Sequence, residues 1–221
     1  MTLSNPRTPS RAFTLVEMLV VLAIIVIVSA LAIPMIQGTT RAYQLNATGQ
    51  AMINQLTLAR QNALSSSHLV EVRFYQLPDY NQPSTGSPSV YRAMQCLTEG
   101  DPTASGSITL TALSKPFLFP VPVVLSTTTS PNNVSPLLSA APTPPSSTDP
   151  LLPNYGSNYK YSAFHFKPDG STDLTNSSAG TPQNSITLVL ENDKAGASGL
   201  PANYETLQID PVIGSVRRFL P

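Results

Sequence analysis

Tryptophan is absent, cysteine occurs once, and charged side chains make up only 11% of the 221 residues. The single cysteine, Cys96, excludes an intrachain disulfide and any cysteine-cluster metal site; it reads as a small buried strand residue. Lys and Arg together number 12, as do Asp and Glu, so the chain has no net field to steer nucleic acid or an acidic substrate. The two histidines, His68 and His165, lie far apart, and there is no Gly-rich phosphate loop, HExxH or GxSxG. No catalytic set is visible, so the expectation is a protein that is not an enzyme and needs no cofactor. Asp169, Ser171 and Asp173 have the spacing of a calcium loop. Leu174 and Gly180 stand where such a loop needs Gly and Glu, so no metal is expected either.

What is present begins with Phe13 to Ile33, FTLVEMLVVLAIIVIVSALAI. From Met18 onward Ser29 is the only polar residue, and roughly 20 such residues suffice to cross a bilayer. Glu17 sits near the start, where an acid in lipid costs about 2.5–3.5 kcal/mol and so points to a function. The preceding head, residues 1–12, carries Arg7 and Arg11 and no acid, which keeps it cytoplasmic and sends the C-terminal body across the membrane. Taken alone, the run fits an uncleaved signal anchor, or a secretory signal with Ala30, Leu31 and Ala32 as an A-x-A cleavage site. Its length and Glu17 speak against the secretory signal.

The stretch RAFTLVEML resembles the prepilin cleavage and N-methylation motif of type IV pilins and type II secretion pseudopilins: a small residue, then Phe-Thr-Leu-x-Glu, then an unbroken apolar helix. The resemblance implies cutting between Ala12 and Phe13 by a prepilin peptidase, N-methylation of Phe13, and Glu17 as the assembly residue. Ala12 departs from the usual Gly before the cut, which implies slower cleavage. Glu17 lies four residues beyond Phe13, on the same helix face. In a bundle, the carboxylate of one subunit can neutralise the terminal amine of its neighbour and remove an unpaired charge from an apolar layer. Pro34 fits the resemblance as a helix kink, since it removes one backbone hydrogen bond.

Residues 41–64 continue as an amphipathic helix. Leu45, Gly49, Met52, Leu56, Ala59 and Ala63 recur at spacings of four and three and form one stripe, which ends at Ser65, Ser66 and Ser67. The remainder, with 22 prolines in the chain and many Ser and Thr from residue 65 on, reads as strands joined by long surface loops. His68 to Tyr75 alternates as a half-buried strand. Further strands are expected over 90–97, 108–113, 159–166, 186–191, 204–210 and 214–219, with turns at Asp169-Gly170 and between Pro211 and Gly214. Pro120 and Pro122 place the apolar run 117–125 at a sheet edge. Residues 126–153 contain 18 Pro, Ser or Thr, and Asp149 as their one charge, so an extended, mobile loop is expected.

FKPDGSTDL, ITLVLE and YETLQIDPVIGSVRRF are similar to the C-terminal sheet of H-type minor pseudopilins and T-type minor pilins. Length and the Pro-rich insert resemble the prepilin-like D proteins of the Verru/Chthon cassette. Some T-type minor pilins bind DNA through C-terminal basic residues, which makes Arg217 and Arg218 the candidate nucleic-acid contact. One doublet is too little to carry phosphate binding, so nucleic acid is not expected as a partner.

The expectation is an α+β, pilin-like chain: a cytoplasmic leader 1–12, a transmembrane and assembly helix 13–36, its amphipathic continuation 37–67, and a β-rich periplasmic or extracellular domain 68–221. The long helix packs on an antiparallel sheet. The implied role is that of a minor subunit of a bacterial secretion pseudopilus or type IV pilus, single-pass in the inner membrane. Its implied partners are the prepilin peptidase, other pilin or pseudopilin subunits, the inner-membrane assembly platform and the lipid bilayer. The competing expectation is a membrane-anchored binding module outside any fibre, with DNA or a secreted substrate as ligand.

Overall fold

The computed structural model describes residues 13–102, 106, 108–128, 134–175, 184–193 and 199–221, without the side chains of 30–37. The expected leader, Ala12 included, lies outside the described residues. The chain divides into two compact units, residues 1–40 and 41–221.

In the first unit, helix α1 (Leu15–Ser66) begins. Its described apolar side chains are exposed in every direction, from Val21 at 47% to Leu15 at 82%. A helix that is apolar all round has no solvated face, and its burial has to come from lipid or from other helices. Among the described residues no helix is long and apolar enough to cross a membrane; described side chains stop at Ser29 and resume at Gly38. Pro34, the expected kink, falls in that interval.

The second unit holds the rest of α1 and, among the described residues, a sheet of nine strands: β1 (Val70–Leu77), β2 (Val90–Glu99), β3 (Leu110–Ala112), β4 (Phe117–Leu118), β5 (Val123–Leu125), β6 (Lys160–Phe166), β7 (Ser185–Leu190), β8 (Tyr204–Ile209) and β9 (Val216–Phe219). The order is β6-β1-β2-β5-β7-β8-β9, and β3 and β4 also pair with β2. Every pairing between these strands is antiparallel. The stripe expected on the helix is its buried face. Leu45, Met52, Leu56, Ala59 and Ala63 join Val70, Val72, Phe74, Ile186, Leu188, Leu207 and Ile209 in one core. Each large apolar side chain buried there contributes on the order of 1.5–3 kcal/mol. Cys96 lies in this core, burial pushes its thiol up to about 12, and it is inert.

Three expectations are corrected. Strand β1 is not half-buried: every residue but Gln76 is buried. Its second face is covered by Leu152, Tyr155 and Tyr159, which cluster with Tyr75, Leu77 and Ala93. The segment 126–153 is therefore no free loop across its described residues. Val134, Leu138 and Leu152 are buried, Pro136–Leu138 forms a 3-10 turn, and the hydroxyl of Thr187 donates to the Val134 carbonyl. Asp149, the one charge, accepts from Arg73 Nη1 at 2.8 Å. Finally, Val123–Leu125 lies inside the sheet, between β2 and β7, and not at its edge. Pro120 and Pro122 precede the paired residues, so no ladder donor is lost.

Candidate functional site

The first turn of α1 leaves its backbone N–H groups without intrahelical acceptors. Thr14 stands immediately before the helix, and its Oγ1 accepts the Glu17 N–H at 3.2 Å. The Thr14 carbonyl accepts the first regular helical bond, from the Met18 N–H at 3.2 Å. Thr14 is thus the N-cap and Glu17 the third helical residue, which is the Thr-x-x-Glu spacing of a capping box. Glu17 lies in the first turn, where the positive end of the helix dipole favours a carboxylate. Phe13, just outside the cap, is 69% exposed. Phe13 and Glu17 are therefore held at the helix start as the sequence places them. The cap itself was missed, although the Thr-x-x-Glu spacing announces it.

The other sequence candidates are scattered over the second unit. Arg217 and Arg218 alternate on β9 and do not form one basic surface. Arg217 is exposed and lines an open cavity of about 440 Å³ with Gln208, Asp210 and Asn184. Arg218 turns to the helix, where its Nη2 donates to Asn46 Oδ1 and, at 2.8 Å, to Glu205 Oε2. Glu205 is fully buried, and desolvation raises its carboxyl despite the guanidinium. Helix residue Gly49 makes room for it: a Cβ there would come within 1.9 Å of Glu205 Oε1.

His68 Nε2 lies 3.5 Å from the exposed Asp101. His165 is paired on both ring nitrogens, with Asp173 Oδ2 at 2.7 Å from Nδ1 and Glu99 Oε1 at 3.2 Å from Nε2. The Asp173 hydrogen bond holds its imidazolium above the usual histidine range against the opposing effect of burial. Asp169 Oδ1 accepts from the Ser171 amide and hydroxyl, so the sequence that resembled a calcium loop is a tight turn.

Residues 7–33 match the prokaryotic N-terminal methylation motif. The match covers Arg7 and Arg11 of the head, the Ala12–Phe13 junction, Glu17 and the apolar run to Ile33. No curated protein and no solved structure matches the chain. The motif is that of type IV pilins and pseudopilins, whose members are structural subunits and not enzymes. It implies processing by a prepilin peptidase and assembly with other pilin subunits. The α+β architecture, with a helix packed on an antiparallel sheet, is consistent with that motif.

Proposed function

We propose that the chain is a minor subunit of a type II secretion pseudopilus or a type IV pilus. Its prepilin is cut between Ala12 and Phe13, methylated on Phe13 and assembled through the N-terminal helix. The observation that carries this reading is the methylation motif on a capped helix with Glu17 in its first turn. Residues 1–12 stay in the cytoplasm, residues 13–36 span the inner membrane, and the β-rich domain lies in the periplasm or outside the cell.

The cap gives the assembly step its chemistry. Cleavage leaves a positive α-amine on Phe13, one residue before the N-cap, against the positive end of the helix dipole. In an apolar packing layer that amine needs a carboxylate, and Glu17 lies one turn further on, on the same helix face. Glu17 of a neighbouring subunit supplies the counter-charge and fixes the axial register between helices.

The test is Glu17→Ala. The variant is expected to insert and accumulate normally, while helix-to-helix crosslinks between subunits fall at least tenfold. An unpaired charge in lipid costs about 2.5–3.5 kcal/mol, more than the ~1.4 kcal/mol that a factor of ten requires. Unchanged crosslinking would overturn the charge-pairing step. A body that works equally well without the helix would mark a binding module instead of a fibre subunit.

A further inference from the structure

On the sheet face turned away from α1, three strands bring metal-ligating side chains together. Glu71 on β1 stands directly opposite His165 on β6. Glu99 ends β2, two residues beyond Leu97, which faces Glu71 from the other side. One donor atom from each of Glu71, Glu99 and His165 lies within 4.8 Å of the other two. The two carboxylates are sheltered and the imidazole partly open: Glu71 is 7% exposed as a residue, the Glu99 side chain 14% and the His165 side chain 30%.

The imidazole is set in the manner of a ligand. Asp173 Oδ2 holds Nδ1 at 2.7 Å, and Asp173 Oδ1 also accepts the His165 backbone N–H at 2.8 Å, so the ring is fixed from behind. A metal ion that displaces the Nε2 proton leaves the other proton on Nδ1, toward Asp173, and takes the Nε2 lone pair on the side of the two glutamates. A carboxylate behind a histidine is the usual outer partner of a metal-bound imidazole.

Charge favours a cation there. Among the described residues, Arg73 is the one permanent cation paired with this group, and it is divided between Glu71 Oε2 at 3.0 Å and Asp149 Oδ1 at 2.8 Å. Among the described residues, Glu99 has no ionic partner except His165. Three carboxylates, Glu71, Glu99 and Asp173, thus surround one imidazole and share one arginine with Asp149, so a divalent cation that displaces the imidazolium's Nε2 proton more than replaces the charge it removes.

We propose that Glu71, Glu99 and His165 bind a divalent first-row transition ion of the zinc class, with Asp173 orienting the histidine and water completing a tetrahedron. One nitrogen and two carboxylate donors suit zinc, whereas imidazole disfavours calcium and magnesium. Donors about 2 Å from a tetrahedral ion lie roughly 3.3–3.5 Å from one another, so the glutamates need to close by little more than 1 Å, within reach of side-chain rotation. The ion would staple β6, β1 and β2 together in a chain whose single cysteine cannot form an internal cross-link.

The full-length protein in detergent, stripped with EDTA, is dialysed against zinc chloride and assayed for bound metal and for melting temperature. One zinc per chain and a rise of roughly 5 °C or more are expected. Cobalt chloride should give the d–d absorption of a tetrahedral site, and calcium chloride should leave melting unchanged. His165→Gln and Glu99→Gln should each weaken zinc binding at least tenfold, while His68→Gln should bind as the parent does. If His165→Gln fails to fold, Glu99→Gln alone decides. Absence of stoichiometric zinc, retention of zinc by the site variants, loss with His68→Gln, or an equal effect of calcium would overturn the proposal.

Discussion

Gly49 occupies a position in α1 where a helix ordinarily gains from alanine, by roughly 1 kcal/mol. Here the missing side chain is the space taken by Glu205, the fully buried carboxylate held by Arg218. Gly49→Ala drives a methyl group into that carboxylate and pushes it off its partner, and separating a buried pair costs about 3–5 kcal/mol. A net loss of about 2–4 kcal/mol is expected in denaturant melts of the full chain. Combining Gly49→Ala with Glu205→Ala should restore part of it, because the two sites are in contact and their effects are not additive. An equal or higher stability of the single variant would show that the carboxylate moves aside at no cost. The same residues show what a linear sequence conceals. Gly49 is readable as part of an apolar stripe, but its buried carboxylate partner on β8 is not, because nothing local joins the two positions.

Among the elements, the segment across residues 134–153 behaves as a strap over the sheet, and Asp149 is its charged fastening. Burial alone would raise the Asp149 carboxyl. The Ser146 amide and Arg73 outweigh that and hold it below the usual carboxylate range. A carboxyl depressed in the folded state lends stability above its unfolded value of about 4, and that stability is lost as pH falls through the lower folded value. Proteolysis within the strap should therefore be slow at neutral pH and should accelerate as the medium is acidified below about pH 4. Asp149→Asn should give faster cleavage at neutral pH and a flatter acid dependence, and a variant cleaved like the parent at pH 7 would contradict the fastening role. Composition hid this element. Proline, serine and threonine dominate the average, while Val134, Leu138, Asp149 and Leu152, which do the packing, are scattered singly among them. Alternation made β1 look half-buried, since the cover over Tyr75 and Leu77 comes from the distant residues Leu152, Tyr155 and Tyr159. Helical periodicity, by contrast, is a strong local signal, and the stripe from Leu45 to Ala63 is buried as its spacing requires. Val123–Leu125 was misplaced because prolines beside a strand and prolines within one look alike until the register is known.

At the scale of the whole molecule, one terminal unit offers an apolar helix whose described side chains are exposed, and the other buries a core of its own. Sequence was most informative at the start, where a fixed order of residue types, Phe13, Glu17 and the apolar run, matches the methylation motif, although the Thr14 cap between them was missed. It was silent on the Glu71, Glu99 and His165 grouping, which exists only through the pairing of β1 with β2 and β6. The proposed fibre assembly requires that the leader be removed at one bond, because the α-amine that it would pair with a neighbour's Glu17 is created by that cut. The mass of the N-terminal peptide of the protein recovered from membranes reads this directly. An N-methylated peptide beginning at Phe13 is expected, with a fraction of uncut chains reflecting the slower cleavage after Ala12. A body beginning at Ile33, or only chains that retain Met1 or Thr2, would contradict assembly through a processed N-terminal helix.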